Sequence, residues 1–206
     1  MNERSERRSA KQPSPGLNHQ PIMNGALAAF AEHGFNGASM RDIAKRADTS
    51  LSNVYNYFPS KEDLLVAVLK DTNGELLRRT NRTVAAAKPN PTDRLRAAVR
   101  AYVGFVVDAQ PASIVALSEL RYLGGERRKA VVAARDETEA LFLRLVEEGV
   151  ESGEFTTTRP HDATRAVLLL CATVANWFRP DGELSREAVA ELQADFALAL
   201  VGARNN

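Results

Sequence analysis

Apolar residues recur at three- and four-residue steps along most of the chain, and no alternating run is long enough to suggest a strand. The pattern predicts helix after helix. A first helix starts near Gln20, tolerates Pro21 in its first turn and ends at His33, before Gly34. A dense run of short elements follows, from Gly34 to Leu65: GFNGASMRDIAKRADTSLSNVYNYFPSKEDLL. A long helix then runs from Lys61 to about Ala87 and stops before Pro89. Thr92 is read as the cap of a fifth helix ending before Pro111. Further helices are expected over 112–123, over 126–152, from Pro160 to Phe178, and from Ser185 to about Val201. The fold class is therefore all-α with about nine helices. Residues 19–66 form a three-helix N-terminal domain and 67–206 a larger helical bundle. No repeat with a period of 20–50 residues interrupts this order.

The run from Gly34 to Leu65 carries its own punctuation. Ser39 with Asp42, and Ser60 with Asp63, have the spacing of a capping box. Met40, Ile43, Ala44 and Ala47 give the helix after Ser39 one apolar face. Asp48 ends it, and Ser50 caps the next helix. There Val54 and Phe58 face inward, four residues apart. At 100° per residue the opposite side carries Ser52 and Asn56, flanked by Asn53 and Tyr55.

Short hydroxyl and amide side chains on an exposed helix suit base edges in a major groove, and Asn can pair bidentately with adenine. Tyr and Ser hydroxyls suit phosphate oxygens. Lys61 stands at a helix start, where the helix dipole disfavours a cation, and a phosphate would account for it. By spacing alone, a helical hairpin with a solvated polar face explains the run equally well.

The same residues resemble the DNA-binding domain of the TetR (tetracycline-repressor) family. The family pattern of an apolar first helix, then GF-x-x-A-[ST]-x-R-x-IA and Y-x-Y-F-x-x-K-x-x-L, is matched by Ala26, Leu27, Phe30, Gly34, Phe35, Ser39, Arg41, Ile43, Ala44, Tyr55, Tyr57, Phe58, Lys61 and Leu64. The resemblance covers roughly residues 22–66. It implies phosphate contacts from Ser39, Arg41, Thr49, Tyr55, Tyr57 and Lys61. It puts Leu51, Ser52, Asn53 and Asn56 on the recognition helix, with Ser50 at its cap. Asp48 stands where the family has Gly, and its charge is unhelpful beside phosphate.

The last two expected helices carry broad apolar faces. Val167, Leu170, Cys171 and Val174 lie on one, and Val189, Leu192 and Phe196 on the other. Such a layer completes the chain's own core or meets a second copy. The resemblance implies the homodimer, since paired recognition helices must match two half-sites. An effector pocket is expected between the middle helices, lined by Tyr102, Phe105, Leu117, Leu120, Arg121, Phe142 and Trp177, with few polar anchors. The stretch NWFRPDGELS, 176–185, resembles one found in TetR-like regulators of acyl-CoA and related lipid and aromatic catabolites. The expected effector is therefore apolar or aromatic, with a CoA thioester among the choices.

Composition changes this picture little. Of 206 residues 44% are hydrophobic, and the net charge is +1, so charge alone does not announce nucleic acid. Residues 1–18 hold Arg4, Arg7, Arg8 and Lys11 among Ser, Pro and Gln, and read as a disordered basic tail. One cysteine, no run of 18 apolar residues and no signal-like N-terminus point to a cytoplasmic protein without membrane contact. His19, His33 and His161 are isolated and no catalytic or metal-ligand spacing is present, so neither enzyme activity, metal nor cofactor is expected. The reading is a ligand-responsive transcriptional repressor acting on double-stranded operator DNA. The alternative is a helical ligand-binding or interaction protein whose helix-turn-helix no longer binds DNA.

Overall fold

The computed structural model describes residues 19–204. The expected tail, 1–18, lies outside them. The elements are α1 (Gln20–Gly37), α2 (Met40–Arg46), α3 (Leu51–Tyr57), α4 (Lys61–Ala85), α5 (Pro91–Asp108) and α6 (Gln110–Ser118). A 3-10 turn (Glu119–Tyr122) leads to α7 (Gly125–Glu151), α8 (Pro160–Ala172), α9 (Val174–Trp177) and α10 (Arg186–Leu200). Among the described residues the only β pairing is an isolated bridge between Phe155 and Ala203.

The caps explain most boundaries. Ser39, Ser50 and Ser60 accept the N–H of Asp42, Asn53 and Asp63, each at 3.1 Å. Asn90, not Thr92, caps α5 and accepts the Asp93 N–H at 2.8 Å. Pro91 has no N–H and takes the first helical position, which moves the cap back to Asn90. Gly34 does not end α1 as expected. It takes φ 65 and ψ 172, and a further turn follows the break. The expected helix from Pro160 to Phe178 is split into α8 and α9 at Thr173, whose hydroxyl donates to the Leu169 carbonyl at 3.0 Å and loosens the ladder there.

Two cores form. The first gathers Ile22, Phe30, Ile43, Val54, Leu64, Leu65 and Leu69, all nearly or fully buried. It also takes Val115, Leu120, Leu123 and Val131 from α6, the turn after it and α7. The second packs α5, α7, α8 and α10 through Leu95, Val99, Phe142, Leu145, Val167, Val189 and Ala197. Each such large apolar side chain contributes about 1.5–3 kcal/mol by leaving water. The boundary expected at residue 66 falls inside α4, which reaches from the first core (Leu64) to the second (Val84). No single helix among the described residues is long and apolar enough to cross a membrane.

Candidate nucleic-acid interface and effector cavity

The helix-turn-helix is built as its sequence suggests. Asp48 has φ 48, in the left-handed region. Its N–H bonds the Lys45 carbonyl at 3.2 Å, and the Thr49 N–H bonds Ala44 at 3.0 Å, which closes α2 as a Schellman turn. An Asp here costs roughly 1 kcal/mol relative to Gly. Val54 is fully buried beneath α3, while Ser52 and Asn56 are exposed on its far side and Tyr55 is 48% exposed. Ser39, Met40, Arg41, Leu51, Tyr55, Ser60 and Lys61 line one open groove across α2, α3 and the start of α4.

Three expected contact residues are engaged elsewhere. The Lys61 ammonium donates to the carbonyls of Phe35, at 2.6 Å, and Ala38, at 2.8 Å, and lies 4.4 Å over the Phe35 ring. Its charge is answered by the end of α1, which removes the argument that a phosphate is needed to account for it. Asn53 is half-buried, and its amide donates to the Thr49 hydroxyl at 2.8 Å, so both side chains are turned to holding the turn. Arg46 is paired with Asp42 and Glu32, whereas Arg41 and Lys45 are exposed without an ion pair among the described residues.

The cavity lies where α4, α5, α6, α7 and α8 meet. It encloses about 390 Å³ and is lined by Asn73, Leu76, Tyr102, Leu117, Val132, Arg135, Asp136, Thr138, Glu139, Arg165, Leu168, Leu169 and Ala172. A recess of about 50 Å³ shares several of these residues and adds Thr72, Phe105, Val106, Ser113 and Ala116. Of the expected lining, Tyr102, Phe105 and Leu117 are present, and Phe142 supports Tyr102 edge-on at 6.0 Å from the buried core. Leu120 belongs instead to the first core, and Arg121 is exposed against Tyr122. Trp177 is 45% exposed and lines neither space.

The expected shortage of polar anchors is also corrected. Arg135 and Asp136 reach the cavity without an ion pair among the described residues, while Arg165 pairs with Glu139 at 3.2 Å. The buried hydroxyls of Ser113 and Thr138 have no protein partner. Burial pushes the Tyr102 phenol's pKa well above its ordinary value, so its O–H is a donor throughout the physiological range. Arg135, Asp136, Thr138 and Glu139 carry no signal in the sequence, because on α7 they look like any solvated helix face.

The two apolar faces near the C-terminus also divide differently. Val167, Cys171, Val174 and Val189 are fully buried inside the chain and cannot be an outer surface. Leu170 is half-buried. Leu192, Phe196 and Leu200, all expected on the apolar face of the last helix, are exposed, and so are Leu169 and Trp177, which the sequence does not assign to this surface. Burial likewise pushes the Cys171 thiol's pKa far up.

Two family models match the chain. Residues 22–68 match the bacterial regulatory proteins of the tetR family, and residues 88–201, over half of the sequence, match the tetracyclin repressor-like C-terminal domain. The chain belongs to the TetR family. It is a DNA-binding, ligand-responsive transcriptional regulator of the repressor type. Among its TetR relatives, the transcriptional repressor KstR2 of Rhodococcus jostii is 27% identical over 176 residues, 82% of this chain and 84% of that protein. A tetR-family regulatory protein of Rhodococcus RHA1 has a solved structure that superposes with a TM-score of 0.83 at 29% identity, covering 90% of this chain and 97% of the other. FadR of Bacillus subtilis, solved in complex with stearoyl-CoA, shares the fold at a TM-score of 0.76 and 22% identity, over 91% and 100% of the two chains.

Proposed function

We propose that the chain is a homodimeric repressor released from its operator when the acyl part of a CoA thioester enters the cavity. The observation that carries this reading is the cavity's two-sided lining. Leu76, Leu117, Val132 and Leu168 give it apolar walls, and Arg135 stands at it beside Tyr102 as a cation with no ion pair among the described residues. About 390 Å³ suits a medium acyl or aromatic group and is too small for the nucleotide half of CoA, which must stay outside. Arg135 and Arg165 are placed to meet its phosphates. The same fold holds stearoyl-CoA in the Bacillus subtilis protein. Ser113, Thr138 and Tyr102 supply hydroxyls for the thioester carbonyl. Exposed Leu192, Phe196 and Leu200 on α10 with Leu169 and Trp177 supply an apolar patch for the second copy. Arg41 and Tyr55 are assigned to phosphate, and Ser52 and Asn56 to base edges. Ser39, Ser50, Leu51 and Tyr57 flank them, while Lys61, Thr49 and Asn53 shape the head from within.

Thermal melting with octanoyl-CoA, benzoyl-CoA, the free acids and CoA alone tests the reading. The thioesters should raise Tm and weaken binding to DNA fragments selected by the protein, because the ligand favours the arrangement that does not fit DNA. Arg135→Ala should weaken the thioesters about tenfold and leave the free acids unchanged. Stabilisation by hydrophilic molecules or metal ions alone would overturn it.

A further inference from the structure

We propose that Glu119 is the strut through which the effector cavity sets the position of the DNA-reading head, acting on Phe35. The inference rests on the effector reading above. Glu119 opens the 3-10 turn that continues α6 and is only 5% exposed. Its Oε2 accepts the Phe35 N–H at 2.8 Å, and its Oε1 accepts the Ser118 hydroxyl at 2.7 Å. The Phe35 N–H is available because Gly34 breaks the helical ladder of α1. A carboxylate on a backbone N–H is a charge-assisted bond, and burial shields it from salt.

The other side of Phe35 is held by the head. Lys61, the first residue of α4, grips the Phe35 and Ala38 carbonyls. Ala38 runs directly into Ser39, the cap of α2. Tyr122, from the turn that carries Glu119, stacks on the Phe35 ring at 5.4 Å between centroids. A continuous path therefore runs from Ser113 and Leu117 on the cavity wall, along α6 to Glu119, through Phe35 to Lys61, and on to α2 and α3. A second link, Arg127 of α7 to Asp63 of α4 at 2.8 Å, is a third to a half exposed and open to screening. Of these two polar links, the buried one is the less screened at physiological salt.

The test needs no ligand. Leu117→Trp fills the cavity and stands in for an effector. Its effect on affinity for DNA fragments selected by the wild-type protein is measured in three full-length backgrounds: Glu119, Glu119→Met and Glu119→Gln. Met keeps the volume and removes the acceptor, whereas Gln restores a neutral one. The filled cavity should weaken DNA binding about tenfold with Glu119, less than about twofold with Met, and by an intermediate factor with Gln. Amide exchange at Phe35 should accelerate in Glu119→Met, while amides in α5 keep their protection and show that the fold is intact. Should the Met protein fail to fold, the Gln background alone decides, since an undiminished tenfold effect there refutes the strut. If Leu117→Trp weakens binding equally in every background, Glu119 merely supports the fold and the proposal is wrong. If Leu117→Trp changes affinity in none of them, cavity gating itself fails, and the strut with it.

Discussion

The reading head and the proposed effector cavity are built by opposite routes. Every side chain of the groove proposed to face DNA comes from one stretch, between Ala38 and Lys61. The caps that orient its helices each act within three residues: Ser39 on Asp42, Ser50 on Asn53, Ser60 on Asp63. The cavity draws on five helices, and Asn73 and Ala172, which share its wall, are about a hundred residues apart in sequence. A site made of near neighbours shows itself in spacing, while a site made by packing distant helices does not. The first can also be retuned one side chain at a time, whereas a change in the second propagates through its walls.

The sharpest way to probe that contrast is to remove a wall support. Phe142 is fully buried and props Tyr102. Phe142→Ala should lower unfolding free energy by about 3–5 kcal/mol in urea titrations. A loss under about 1 kcal/mol would show a bundle that collapses onto its cavity instead of holding it open.

In the head, Lys61→Met should destabilise the protein by roughly 1.5–3 kcal/mol, because two carbonyls lose a charged donor. The dependence of DNA affinity on salt should stay unchanged. Arg41→Ala should do the reverse, reducing the salt slope by about one counterion with little change in stability. Interchanged results would return Lys61 to the phosphate backbone.

Asn56→Ala is expected to cost roughly 1–3 kcal/mol on selected DNA and to relax preference at one position per half-site. A base-preference profile identical to wild type would move the reading role to Ser52 or Tyr55.

The smallest effect concerns pH. The Asp108 carboxyl is held below its ordinary pKa, first by the Arg186 guanidinium at 2.7 Å and against some desolvation. A carboxylate whose pKa is lowered in the folded state stabilises above its unfolded value and loses that contribution as pH falls through the folded one. Asp108→Asn should therefore cost under about 1 kcal/mol at pH 7, as partly exposed pairs do, and less at pH 2. An equal loss at both pH values would mean that the asparagine disturbs packing, not charge.

How far the sequence could be read follows the same division. The boundaries of α2, α3 and α4 and the inward position of Val54 were legible because hydroxyl caps and a four-residue apolar step are local physics. The true partners of Lys61 were not, since Phe35 lies 26 residues away. Arg121 sits among apolar neighbours in sequence, yet those neighbours face the first core while it faces water. Arg135 gave no signal, because only packing decides that its face of α7 borders a cavity. On α8 and α10, helical periodicity revealed two apolar stripes but could not say which pointed inward.

The sharing of one core between the head and the helices beyond it also bears on inheritance. A head severed at residue 66 would bare the apolar surface that Val115, Leu120, Leu123 and Val131 now cover, and would lose most of α4. Recombination that joins one regulator's head to another's effector bundle must therefore carry the end of α6 and the start of α7 with it, or create a mismatched seam. An engineered chimera meets the same limit, and its productive crossover is set by the packed surface and not by the edge of the motif.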